Sequence, residues 1–296
     1  MANRPGELYD TAPVQAFALP FADIVRKHAP QAAASLRVGE TAAVNHGGWE
    51  NVTNAFVSGF CRSKLAEICS LRPSERGSVN AWAGNVYEMG WLAQAGYQVM
   101  HRQSLTCRSG DSGMGGGERC AYGVLNTAPE FEPTPDYWLA VLHKKLMGTA
   151  VLNTTTDSSG LPTEVGRPQS GGATIATPKG LEGVVRLFAQ CGKAGGLALM
   201  FANPQTVTIA VTLPPTLQAA AREVYLLTPA PDGSGNPPLQ SKKVALNGKP
   251  LEMVGVEQTE LPELAPRRQA GGGPLTLPAL SYGFVVLPGA AAGACK

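Results

Sequence analysis

The hydrophobic period changes once along the chain, and that change limits the fold more than any single motif does. Up to about residue 150, apolar residues recur at helical spacing between short apolar runs. Val14, Phe17, Leu19, Phe21, Ile24 and Val25 predict a helix over 14–28, ended by Pro30. Leu36 to Gly39 predicts a short strand that stops at Glu40, and Asn51 to Phe60 opens the next helix. A further helix is predicted over Tyr87 to Gly96, followed by a second strand over Tyr97 to Met100. Pro135-Asp136-Tyr137-Trp138 opens another helix, which runs to Met147 with Gly148 as its stop. Asp157 to Gly180 is rich in Ser, Gly, Pro and Thr and reads as a loop or linker. Beyond it the period is two. Val184–Cys191, Leu197–Ala202 and Thr206–Leu213 are predicted strands, and Asn247-Gly248 marks a tight hairpin between Val244 and Leu251. Gly283 to Leu287 is a last strand. An α/β part followed by an all-β part is the organisation these periods dictate.

Composition removes several classes of function. The 296 residues carry a net charge of +2 with 16% charged residues, so no nucleic-acid partner is implied. A hydrophobic share of 44% excludes wholesale disorder, while 35 glycines and 24 prolines call for many turns. No apolar run is long enough to span a bilayer, and Met1-Ala2-Asn3-Arg4-Pro5 has no signal core. Arg108 to Arg119 is glycine-rich but lacks phosphate-loop spacing and a following helix, so no nucleotide cofactor is expected. The six cysteines form no CxxC pair and the four histidines show no ligand spacing, which argues against a metal. Asn51-Val52-Thr53 and Asn153-Thr154-Thr155 are glycosylation sequons, and with the cysteines they lean towards an exported protein.

Glu40 is the candidate for chemistry. An apolar run leads into Gly39 and a carboxylate, small residues come next, and His46-Gly47-Gly48 closes the stretch. A carboxylate at the C-terminal end of a strand is where barrel and open-sheet enzymes place their reacting groups. A solvated glutamate at a strand end is the plain alternative.

Several stretches match a known family, in order and over nearly the whole chain. They are Val38-Gly39-Glu40-Thr41, His46-Gly47-Gly48, His101-Arg102-Gln103, Ala121-Tyr122-Gly123-Val124-Leu125, and Pro133 to Leu152 with its Pro-Asp-Tyr-Trp. Leu246-Asn247-Gly248, Leu251-Glu252-Met253-Val254 and Leu277-Pro278-Ala279-Leu280-Ser281-Tyr282-Gly283-Phe284 continue the match. The chain resembles the C-terminal half of heparanase-like glycoside hydrolases, family 79, with Tyr122-Gly123 closer to plant-type members. The resemblance implies the C-terminal part of a (β/α)8 barrel followed by an antiparallel β-sandwich. On that pattern residues 1–152 are partial barrel, 61–86 an insertion, 153–183 a linker and 184–296 the sandwich. The activity it implies is retaining hydrolysis of β-glucuronides, with Glu40 as nucleophile. Gly47, Gly48, Gln103 and Tyr122 fall on positions that contact the sugar. Arg102 is either a substrate contact or half of a strand-end ion pair. Cys191 and Cys295 fall on a disulfide, and no cofactor is implied.

Two departures qualify the likeness. The family's acid/base glutamate comes directly after an asparagine, and no Asn-Glu dipeptide occurs in these 296 residues. Cys61 to Val86 interrupts a helix that is continuous in the family. The expectation is therefore a nucleophile-bearing half whose N-terminal barrel half is missing, inactive by itself. The alternative is a non-catalytic carbohydrate-binding or structural remnant. The expected partner is a glucuronide-containing polysaccharide or proteoglycan glycan. For the full-length parent the expected location is extracellular, wall- or membrane-associated, or lysosomal or vacuolar.

Overall fold

The computed structural model describes residues 22–33, 36–41, 85–102, 124–125, 132–154, 164–165, 175–176, 185–203, 207–233, 241–255, 257, 259–279, 281–290 and 293–295. Two units divide the chain. The first holds the described residues up to Trp138 with Pro229–Val244 and Glu252–Glu260; the second holds Leu139–Thr228, Ala245–Leu251 and Leu261 onward.

In the first unit residues 22–28 are helical, and Pro30 then opens a second short helix, Pro30–Ala33. Proline suits that position because the first helical N–H has no intrahelical partner to lose. The strand β1 covers Arg37–Thr41 and β2 covers Val99–Arg102, with the helix Asn85–Gln94 before β2. This helix begins two residues ahead of the predicted Tyr87. Its end is set by Gly96, at a φ of 89°. The Gly96 N–H donates to the Ala93 carbonyl and the Tyr97 N–H to that of Leu92, both at 2.9 Å. That pair of bonds is a Schellman stop, which needs a residue free to adopt left-handed backbone. Tyr97 and Met100 pack on Leu92 and Ala95, fixing the helix against the strand it feeds. Arg26 adds a bond of 2.5 Å from its guanidinium to the Ala95 carbonyl.

The helix Pro135–Leu146 starts with proline at its first position. Asp136 sits in its first turn and His143, Lys144 and Lys145 in its last, the order that complements a helix dipole. It leads without a break into β3, Met147–Leu152, a strand located where the sequence predicts a helix stop. The short strands β4, Glu164–Val165, and β5, Ile175–Ala176, pair with each other.

The β-rich remainder comprises β6 (Arg186–Gly192), β7 (Leu197–Asn203), β8 (Ile209–Val211), β9 (Arg222–Ala230), β10 (Lys243–Leu246), β11 (Lys249–Pro250), β12 (Arg267–Gln269), β13 (Leu275–Leu277) and β14 (Ser281–Leu287). The large sheet runs β11-β10-β9-β14-β7-β6-β3, with β12 also on β9, while β8 and β13 pair separately. Val185, Leu187, Leu199, Phe201, Val224, Leu226 and Val285 from the large sheet's side join Ile209, Leu275 and Leu277 in one apolar core. All seven residues of β7 and of β14 are buried, so both faces of the sheet are covered there. The predicted hairpin is present. Leu246 pairs with Lys249 across a two-residue turn in which Asn247 and Gly248 both have positive φ, 52° and 86°. Of the described residues of the predicted strand Thr206–Leu213, Ile209–Val211 form β8. Val207 is exposed, and Pro214 and Pro215 turn the chain into the helix Pro215–Gln218. Arg222, fully enclosed, donates to the carbonyls of Pro274, Gln218 and Gly273 and so ties the glycine-rich turn to β9.

Cys191 and Cys295 are bonded, with Cα atoms 5.2 Å apart, as the resemblance implied.

One half-buried histidine, its Nε2 enclosed, gives this unit an acid limit. The His143 ring meets Phe284 edge-on at 6.4 Å, and its Nε2 has no hydrogen-bond partner. Burial pushes the imidazole down from 6.5 to about 4. Above pH 6.5 the ring is neutral folded or unfolded. Between 6.5 and about 4 only the unfolded chain takes the proton, so stability falls as pH falls, by on the order of 3 kcal/mol in all. The urea midpoint of the wild type is expected to drop between pH 7.5 and pH 4.5, and the drop to shrink in His143→Gln. An equal drop in both proteins would remove His143 as its source.

Candidate active site

The Leu36 carbonyl accepts from the Gln98 N–H at 2.9 Å, and from there β1 and β2 run parallel. Arg37 pairs with Val99, Val38 with Met100 and Thr41 with Arg102. Between the last two pairs β1 advances three residues and β2 only two. The irregularity is a bulge-like step, and it falls on Gly39 and Glu40. An extra residue in one strand bends the chain and re-aims the side chains beyond it, and such steps recur beside active sites. Glycine at one of the two positions eases the step.

Parallel pairing has a second consequence. Glu40 is the penultimate residue of β1 and Arg102 the last of β2, so the two lie at the same, carboxyl end of the pair. A parallel pair also requires a crossover, and the helix Asn85–Gln94 lies within it. Carboxyl ends of parallel strands are where α/β folds gather reacting and binding groups. Gly47, Gly48, Gln103, Tyr122 and the sequon residue Asn51 lie outside the described residues, as does most of the predicted insertion. Asn153 is exposed at the end of β3.

Among the described residues, no three His, Cys, Asp or Glu side chains gather as metal ligands. Lys243 does gather two carboxylates, its ammonium lying 3.1 Å from Glu132 and 3.2 Å from Glu252. The bonds to Glu132 and then Glu252 raise the Lys243 pKa. No pattern in the sequence signalled this cluster, because its three members belong to separate stretches of chain. No described helix is long and apolar enough to cross a membrane.

No family model matches the chain. Heparanase from Mus musculus is 32% identical over 267 residues, 87% of this chain and 38% of that protein. The chain belongs to the heparanase-like family. Another relative, inactive heparanase-2 from the same organism, is 33% identical over 173 residues, covering 56% of this chain and 26% of the relative. Baicalin-β-D-glucuronidase from Scutellaria baicalensis is 27% identical over 256 residues, 85% of this chain and 36% of that protein. The chain therefore spans about two fifths or less of these heparanase-like relatives. Identity is higher with the mouse heparanase than with the plant enzyme, so the plant-type character of Tyr122-Gly123 does not extend to overall identity.

Proposed function

We propose that this heparanase-like chain carries the nucleophile side of a retaining β-glucuronidase, with Glu40 as the attacking carboxylate. The observation that carries the reading is the position of Glu40 on a bulge-like step at the carboxyl end of β1, with Arg102 ending the parallel neighbour β2. In that reading the parallel pair is part of a (β/α)8 barrel over 1–152. The strands from 184 onward are the sandwich. Gly47, Gly48, Gln103 and Tyr122 line the sugar site, and Arg102 contacts its carboxylate.

Retention needs two carboxylates about 5–5.5 Å apart, one attacking the anomeric carbon and one protonating the leaving oxygen. The second glutamate of the family comes directly after an asparagine, and no such pair occurs in this sequence. The acid/base therefore belongs to chain beyond these residues. The substrate is a glucuronide-bearing glycan of low charge, because Thr177 to Arg186 is only mildly basic. The setting is extracellular or a lysosome- or vacuole-like compartment.

Without a general acid the rate falls typically ~10²–10⁴-fold. The 296-residue chain alone is thus expected to release no aryl aglycone from an aryl β-glucuronide above background, and a longer form carrying an Asn-Glu is expected to do so. Turnover by the short chain would place the acid among its own carboxylates. The kinship with inactive heparanase-2 favours one second reading, a non-catalytic glycan-binding protein. A longer form that binds a glucuronide but lacks the Asn-Glu would decide for it.

A further inference from the structure

We propose that Asn153 carries an N-linked glycan that covers the edge of β3 with which no described strand pairs. β3 ends the strand order of the large sheet, with no further strand beside it among the described residues. Its ladder to β6 is irregular: Met147 pairs with Gly192 but Val151 with Gln190, so β3 advances four residues where β6 advances two. Thr149, Ala150 and Val151 are exposed in succession. A strand resting on a core buries every second residue, so three exposed in a row leave both faces open here. Val151, 37% exposed, is an apolar side chain on that edge. An open edge with an apolar residue is a template for pairing with another chain, and proteins blunt such edges with bulges, charges or cover. β3 has the irregularity, but between Gly148 and Thr156 it has no charge and no proline.

Cover is available one residue further on. Thr154 donates its hydroxyl to the Leu187 carbonyl at 3.1 Å, which continues the register of Leu152 with Ala189. Leu152 packs on the apolar core. By strand alternation Asn153 then shares the opposite face with Val151. Asn153 is exposed and begins the sequon Asn153-Thr154-Thr155. The Cys191–Cys295 disulfide, whose first cysteine lies within the β6 segment paired with β3, indicates an oxidising compartment. Glycan transfer takes place in such a compartment. The Asn153 amide nitrogen displaces a lipid pyrophosphate from the anomeric carbon of a lipid-linked oligosaccharide. A C–N bond replaces the C–O bond, and the amide gives up one proton.

Two measurements test this. Protein from its natural source is treated with peptide N-glycanase in ¹⁸O water, and the peptide spanning Asn153 is weighed. Conversion of Asn153 to ¹⁸O-labelled aspartate is expected; an unmodified Asn153 peptide alone overturns the site. Wild type, Asn153→Gln and Thr155→Ala are then secreted behind a supplied signal sequence and sedimented over a range of concentrations. Both variants are expected to lose one glycan and to show a several-fold larger dimer fraction, which Val151→Lys in the same background reverses. Variants that lose the glycan yet stay monomeric overturn the covering role.

Discussion

Glu40→Gln, made in a form of the protein that includes the acid/base, will lower turnover of an aryl β-glucuronide by ~10³-fold or more. That corresponds to at least ~4 kcal/mol of lost transition-state stabilisation. Glutamine keeps the volume and length of the side chain, so the bulge-like step between β1 and β2 should survive the change. The nucleophilic oxygen is lost. Circular dichroism and the melting temperature should stay within error of wild type while activity falls. A variant with wild-type activity would reduce Glu40 to a solvated strand-end residue, the plain alternative that the sequence left open.

The second large effect is on stability. Removing the Cys191–Cys295 bond frees a loop of 104 residues in sequence separation. On chain-entropy grounds that costs ~4–5 kcal/mol. For a unit of this size each kcal/mol shifts the melting temperature by roughly 2–4 °C, so the double variant Cys191→Ser/Cys295→Ser should melt roughly 10 °C lower or more. Changing both partners avoids a free thiol that could pair elsewhere. A shift of a degree or two would mean that the last turn, Gly293–Cys295, is held by its packing rather than by the bond.

Much of this architecture was legible because local chemistry and long-range order agree. Gly39 and Glu40 mark the end of β1, Gly96 stops the helix before β2, and Asn247-Gly248 can hardly be anything but a hairpin turn. The parallel pairing is implied by a strand, a helix and a strand in sequence. Other elements were illegible for physical reasons. β9 contains Val224-Tyr225-Leu226-Leu227, all buried, and a continuous apolar run shows no period of two. Its place between β14 and β10 is a property of the sheet rather than of the segment. β3 was hidden because Met147-Gly148 resembles a helix stop. At the site, the position of Glu40 could be read from the run that precedes it. The step in register could not, since it is defined only against β2.

The most direct test of Glu40 as nucleophile is to trap the intermediate. A 2-deoxy-2-fluoro-β-glucuronide with a good leaving group slows breakdown of a glycosyl ester more than its formation. A form of the protein that includes the acid/base is incubated with it, digested, and mapped by mass spectrometry. The expected result is one fluoroglucuronyl group on the peptide containing Val38-Gly39-Glu40-Thr41, absent from Glu40→Gln. A label on a different carboxylate, or hydrolysis with inversion and no label at all, would contradict it.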